Sequence, residues 1–215
     1  RGGHVDGAII VSHHGRDNVL QELAQLPLPI VFSARPLGVE VPVASVDVDN
    51  VAGARTAVEY LLSKGRRRIG IITGPLDMTA GLDRLTGYQQ VAAEAGFPEA
   101  VVIGDFTAEG GEQATVQLLD EHPDLDAIFV ANDLMATATL RVLSQRGRRV
   151  PDDVAVIGFD DSVVATTTTP QLTTIRQPVE KLGARLAELL LAKIGGADLT
   201  SPEIYGTELV VRGSA

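Results

Sequence analysis

Cysteine is absent from the 215 residues. That removes thiolate metal ligands, thiol nucleophiles and a disulfide framework together. Positive charge is scarce as well: 18 lysines and arginines face 28 aspartates and glutamates, a net charge of −10. The deficit lies mostly in residues 101–215, where 9 basic side chains meet 17 acidic ones, against 9 and 11 in residues 1–100. A surface that grips nucleic-acid phosphates needs the opposite sign, so this chain is not expected to hold nucleic acid itself. No apolar run approaches the roughly 20 residues of a membrane span. The opening Arg1-Gly2-Gly3-His4 carries no signal-peptide pattern. A phosphate loop, a G-x-G-x-x-G turn after a strand and a G-x-S-x-G elbow are all missing. The four histidines, His4, His13, His14 and His122, lack metal-ligand spacing, and His13-His14 reads as a solvated loop. No pair of carboxylates comes with a nucleophile or metal set, so neither catalysis nor a cofactor is expected.

What is present is a repeating pattern. Apolar bursts at Ala8–Val11, Ile30–Phe32, Ile69–Thr73, Val101–Ile103, Ala127–Val130 and Val154–Ile157 are β-branched and continuous, as strands buried on both faces read. Amphipathic stretches lie between them. From Asp49 to Lys64, Val51, Ala54, Val58, Leu61 and Leu62 form one helical stripe, and Leu182, Leu186, Leu189, Leu190 and Ile194 form another. Gly65, Gly96 and Gly147 each close a predicted helix as left-handed residues would, and Pro178 opens the last one. The basic groups Lys64 with Arg66-Arg67-Arg68, and Arg146 with Arg148-Arg149, read as cations at helix C-termini. The class is α/β, with parallel sheets covered by helices on both faces. A chain this long buries roughly 70% of its unfolded surface and needs no metal or disulfide staple.

In open α/β sheets, ligands bind beyond the C-terminal ends of the strands. Polar or aromatic residues stand there in this chain: Arg84 after Ile69–Thr73, Phe106 after Val101–Ile103, Asn132-Asp133 after Ala127–Val130, and Asp160-Asp161 after Val154–Ile157. Each has a plainer explanation. Asn132 or Asp133, and Asp161, are natural helix caps, Phe106 fits an ordinary core, and Arg84 could pair with Asp83 or a neighbouring helix. Together, one ring, one guanidinium, one amide and one carboxylate suit a polyol, whose adjacent hydroxyls take bidentate hydrogen bonds while a ring stacks on the C–H face.

These residues sit in strings that resemble, in order, the lactose-repressor (LacI) family of bacterial transcription regulators. The strings begin at Val5-Asp6-Gly7-Ala8-Ile9-Ile10 and run through Asp47-Val48-Asp49-Asn50, Gly74-Pro75 and Arg84-Leu85-Thr86-Gly87-Tyr88. Ala127-Ile128-Phe129-Val130-Ala131-Asn132-Asp133 and Val150-Pro151-Asp152-Asp153-Val154 through Asp160-Asp161 follow. Leu172-Thr173-Thr174-Ile175-Arg176-Gln177-Pro178 and Glu208-Leu209-Val210-Val211-Arg212 close the series. The resemblance implies a type I periplasmic-binding-protein fold: two doubly wound parallel-sheet lobes with strand crossovers and an effector between them. The first lobe would take residues 1–47 and about 178–202, the second 48–177 and about 203–215. It also implies that Arg84, Phe106, Asn132, Asp160 and Gln177 bind a small effector, a sugar or sugar derivative.

The family's partners would be that effector, a second copy of the chain, and operator DNA held by an N-terminal helix-turn-helix that does not precede Arg1 here. The opening strand–helix units of the first lobe are also expected to be missing. No cofactor and no membrane are implied, and the location would be cytoplasmic. Ala34 stands where many sugar-binding members carry an acid, Met78 and Ala80 are apolar where relatives place polar contacts, and Pro170-Gln171 replaces a common double proline. A periplasmic sugar-binding protein of a transporter is the second reading on the same fold. An enzyme on a related doubly wound fold is the third.

Overall fold

A computed structural model describes residues 5–15 and 19–215, so His4 and the residues before it lie outside the described part. The chain divides into two compact units. One comprises the described part of Arg1–Asp49 with Asp77–Thr79 and Pro178–Gly206, and the other Asn50–Leu76, Ala80–Gln177 and Thr207–Ala215.

The first unit holds four parallel strands in the order β1 (Ala8–Ile10), β2 (Ile30–Ser33), β3 (Ser45–Val48) and β9 (Pro202–Tyr205). Alternation along β2 sorts its core. Val31, with Val46 of β3, packs against Leu186 and Leu189 of helix α6 (Val179–Ile194). Ile30 and Phe32 face the other way, against Leu20 and Leu23 of α1 (Val19–Ala24). Pro178 caps α6 rather than standing inside its first turn, one residue from its expected place. His13 departs from the expected solvated loop. It is buried, its ring meets Phe32 edge-on at 5.7 Å, and Nε2 lies 3.1 Å from the Ser33 carbonyl. His14 is exposed and lies 3.1 Å from Asp77.

The second unit is a six-stranded sheet in the order β10 (Glu208–Val210), β8 (Thr173–Arg176), β7 (Ala155–Asp160), β6 (Ala127–Val130), β4 (Ile69–Thr73), β5 (Val101–Ile103). All its pairings are parallel except β10 with β8, an antiparallel edge that the parallel pattern did not anticipate. The buried strands divide their side chains by pleat, as continuous apolar runs require. Ile69, Ile71, Phe129 and Ile157 pack with Ala54, Val58 and Leu61 of α2 (Asn50–Ser63) and with Leu85, Tyr88 and Val91 of α3 (Thr79–Ala95). Ile72, Ile128, Val130 and Val156 turn to Leu118 of α4 (Ala108–Glu121) and to Met135, Leu140 and Leu143 of α5 (Asp133–Gln145). A 3-10 turn, Val163–Thr166, follows β7.

Gly65, Gly96 and Gly147 have φ of +85°, +74° and +69°, the left-handed geometry expected of them. Among the described residues, no helix is long and apolar enough to cross a membrane. The two basic clusters serve as local clasps: Arg66 donates to the Pro151 carbonyl at 2.6 Å, and Arg146 pairs with Asp120 at 2.6 Å.

Candidate functional site

In the second unit, β4 through β8 run parallel, so their C-terminal ends share one edge of the sheet. Arg84 reaches that edge from the second turn of α3. It is one residue out of phase with Leu85 and four before Tyr88, on the buried side of the helix, and it is only 4% exposed. A buried guanidinium must spend its donors. Nε donates to Oδ1 of Asn50 at 2.9 Å and Nη1 to the carbonyl of Ala131 at 2.5 Å. The Asp160 carboxylate stands 3.6 Å from Nη1. The guanidinium carbon lies 3.6 Å from the centre of the Phe159 ring and 5.9 Å from that of Phe106, so Arg84 makes a cation–π contact with each. Arg84 is thus a buried guanidinium engaged by several partners, not idle core.

Phe106 sits half-buried after β5 with φ +67°, a costly backbone for a bulky residue. Two devices hold it there. Asp105 Oδ1 accepts from the Thr107 amide at 2.9 Å and its hydroxyl at 2.7 Å, and Thr107 in turn caps α4 through Gly110. Asn132 Nδ2 donates to the Phe106 carbonyl at 3.0 Å. The ring then covers Gly74, where any Cβ would collide with it. Asn132 is also the cap of α5, its Oδ1 accepting from the Met135 amide at 2.8 Å. Cap and candidate site residue are one side chain.

β7 ends at Asp160, whose φ is +114°, and Asp161 directly after it has φ +55°. Asp160 Oδ1 accepts from Gln177 Nε2 at 2.6 Å, which brings the residue after β8 into the group. Burial pushes the Asp160 carboxyl above its ordinary range, against the opposing charge of Arg84 and the Gln177 hydrogen bond. Asp161 is not a helix cap, since Ser162 occupies that position. Burial raises its carboxyl too, but Arg212 at 2.5 Å and Arg176 at 2.7 Å outweigh this and hold it low. Behind the edge, Asp133 is fully buried. Its oxygens accept from Thr174 Oγ1 at 2.5 Å, the Ser162 amide at 2.7 Å and the Ser162 hydroxyl at 3.1 Å.

Residues 58–215 match the periplasmic binding protein-like domain family. The HTH-type transcriptional regulator CelR of Thermobifida fusca is 47% identical over 219 residues, 99% of this chain and 64% of the relative. The HTH-type transcriptional repressor CytR of Escherichia coli is 36% identical over 98% of this chain and 62% of its own length. Among solved structures, a CelR–cellobiose complex superposes with a TM-score of 0.95 at 45% identity, over all of this chain and 67% of the other. A LacI-family regulatory protein from Chloroflexus aggregans gives 0.87 at 35% identity, over 99% and 77%. The chain belongs to the LacI family.

As a LacI-family chain it has the α/β, periplasmic-binding-protein-like fold that the motif strings imply. Its named relatives are transcription regulators, and the transporter reading on the same fold is set aside. The chain spans 64% and 62% of the lengths of the two curated relatives above. The structure gathers Arg84, Phe106, Asn132, Asp160 and Gln177 through the contacts described, and adds residues the sequence did not single out. Asn50 and the Ala131 carbonyl fix Arg84, Phe159 stacks on it, and Asp133, Ser162 and Thr174 form the buried support. Asn50 and Phe159 lay inside the quoted strings, but nothing in their spacing distinguished them from core or cap.

Proposed function

We propose that this chain is the effector-binding core of a transcription regulator and that it binds a sugar at the strand-end edge of the second unit. The observation that carries the reading is the Arg84–Asp160–Gln177 group beside the Phe106 ring. Planar donors and acceptors fixed by protein partners meet hydroxyls without reordering, and an aromatic face covers the sugar's C–H groups. Phe106, Asp160 and Gln177 contact the ligand. Arg84 contributes from a pinned position, and Asn132 acts chiefly by holding Phe106. The solved relative in complex with cellobiose makes a glucose disaccharide the first candidate.

The sugar signal passes, by linkage, to operator DNA held by an N-terminal helix-turn-helix outside this chain, in a homodimer. Operator and sugar then alter each other's affinity by the same factor. The protein performs no catalysis and works in the cytoplasm, as its regulator relatives' naming supports.

The test is calorimetric titration of the chain with cellobiose and a panel of mono- and disaccharides, with Asp160→Ala alongside. Losing a charged acceptor costs roughly 1.5–3 kcal/mol, or about a 10- to 150-fold weaker affinity. Binding that is indifferent to Asp160→Ala would refute the site. A longer chain carrying the DNA-binding module, with operator affinity unmoved by any bound sugar, would refute the linkage.

A further inference from the structure

Free and phosphorylated sugars differ by up to two negative charges. Proteins hold a phosphoryl group with clustered cations or with the amides of an open helix N-terminus. At the Arg84–Asp160 edge three arginines and two helix N-termini are already committed to the protein. Arg84 donates to Asn50 and to the Ala131 carbonyl, and its charge is faced by Asp160 at 3.6 Å. Two further arginines of the unit, Arg176 and Arg212, clasp Asp161. The N-terminus of α4 is filled by the Thr107 hydroxyl on the Gly110 amide, with Glu109 in its first turn. That of α5 is filled by Asn132 on the Met135 amide, with Asp133 in its first turn. The group left open is itself an anion. The Asp160 side chain is 31% exposed, whereas that of Arg84 is 5% exposed.

We propose that this site selects uncharged polyols and excludes sugar phosphates and sugar acids, and that Asp160 enforces the exclusion. A phosphoryl group there meets one carboxylate in front and a second buried behind it at Asp133, and the arginines described at this edge, Arg84, Arg176 and Arg212, each already face an internal acid or acceptor. An uncharged hydroxyl meets the same carboxylate as a strong acceptor. The selectivity is therefore set by charge at one residue, as well as by shape. This inference rests on the reading of the edge as a sugar site.

The experiment is titration calorimetry of the 215-residue chain with matched pairs: glucose and glucose 6-phosphate, ribose and ribose 5-phosphate, cellobiose and cellobiose 6′-phosphate. In any pair that binds, the free sugar is expected to be tighter by roughly tenfold or more at about 20 mM salt. The ratio should narrow when salt is raised to about 0.5 M, while the free sugar's own affinity stays put, because screening acts on the repulsion alone. Asp160→Asn should weaken the free sugar and shrink the ratio. A phosphate that binds as tightly as its free sugar, or tighter, overturns the exclusion. A ratio unchanged by both salt and Asp160→Asn overturns the part assigned to Asp160. If no member of any pair binds, the sugar site itself is wrong, and that failure is distinct from either of the others.

Discussion

Asp133 makes the stability of the second unit depend on pH in a direction opposite to that of an ordinary paired carboxylate. Burial raises its carboxyl from the usual 3.8 to about 6, although hydrogen bonds from Thr174 and Ser162 pull it back; the Asp160 charge pushes it up again. The folded state therefore holds this proton more tightly than the unfolded chain does. Its stabilising contribution is full below about pH 4, falls as pH rises, and levels off above about pH 6. Roughly two pH units at 1.36 kcal/mol each amount to about 3 kcal/mol in all, of which about 2 kcal/mol falls between pH 4.5 and 7.5.

The perturbation is Asp133→Asn. An amide can accept from the Ser162 amide through its oxygen and donate to the Thr174 hydroxyl, so packing survives while the titration disappears. Urea unfolding of both proteins across that range isolates Asp133 together with its charge coupling to Asp160, because the low-lying carboxyls of Glu94, Asp153, Asp161 and Glu203 are common to both. The wild type should lose about 2 kcal/mol relative to the variant from pH 4.5 to 7.5. Parallel stability curves, or a difference that grows the other way, would refute the account of Asp133 as a carboxyl whose burial outweighs its hydrogen bonds.

Three further outcomes follow from particular contacts. Asn132→Ala removes the α5 cap and frees the Phe106 carbonyl; unfolding should show a loss of about 1 kcal/mol, and titration a weaker sugar affinity than that loss explains. Gly74→Ala places a methyl where the Phe106 ring lies. Titration should show sugar affinity reduced roughly as far as Phe106→Ala reduces it, through lost stacking of about 1 kcal/mol, and equal affinities in all three proteins would take Phe106 out of the site. Tyr88→Phe strips a fully buried hydroxyl that donates to the Ile69 carbonyl at 2.8 Å and accepts from the Ala100 amide at 3.0 Å. Leaving both unpaired should cost about 1–3 kcal/mol in urea unfolding with sugar affinity unchanged.

Strands buried on both faces announce themselves by composition alone, and Ile69–Thr73, Val101–Ile103 and Ala127–Val130 stand at their expected bounds. Four others carry no such signal, for reasons visible in their partners. Thr173 and Thr174 of β8 are fully buried polar residues, bonded to Arg212 and to Asp133, so the strand reads as a loop until those partners are known. β3 carries Asp47 among its valines, whereas β9 starts at a proline and pairs on one side only, as sheet edges allow. β10 is three residues long and antiparallel, outside the repeating unit.

The site divides along the same line. Residue type and position after a strand were enough to nominate Arg84, Phe106, Asn132 and Asp160, because the parallel repeat puts every such position on one edge. The division of labour among them was not legible, since it depends on who already holds whom. Asn132 spends its oxygen on Met135 and an N–H on Phe106, and Arg84 spends its donors on Asn50 and Ala131. Asp160 keeps an open carboxylate because Gln177 and Arg84 engage the same oxygen, Oδ1. Among side chains of similar chemistry, the one least satisfied internally is the one with most to gain from a ligand. On that argument Asp160→Ala should cost the sugar more affinity than Asn132→Ala, and the reverse order would place the amide in front of the carboxylate.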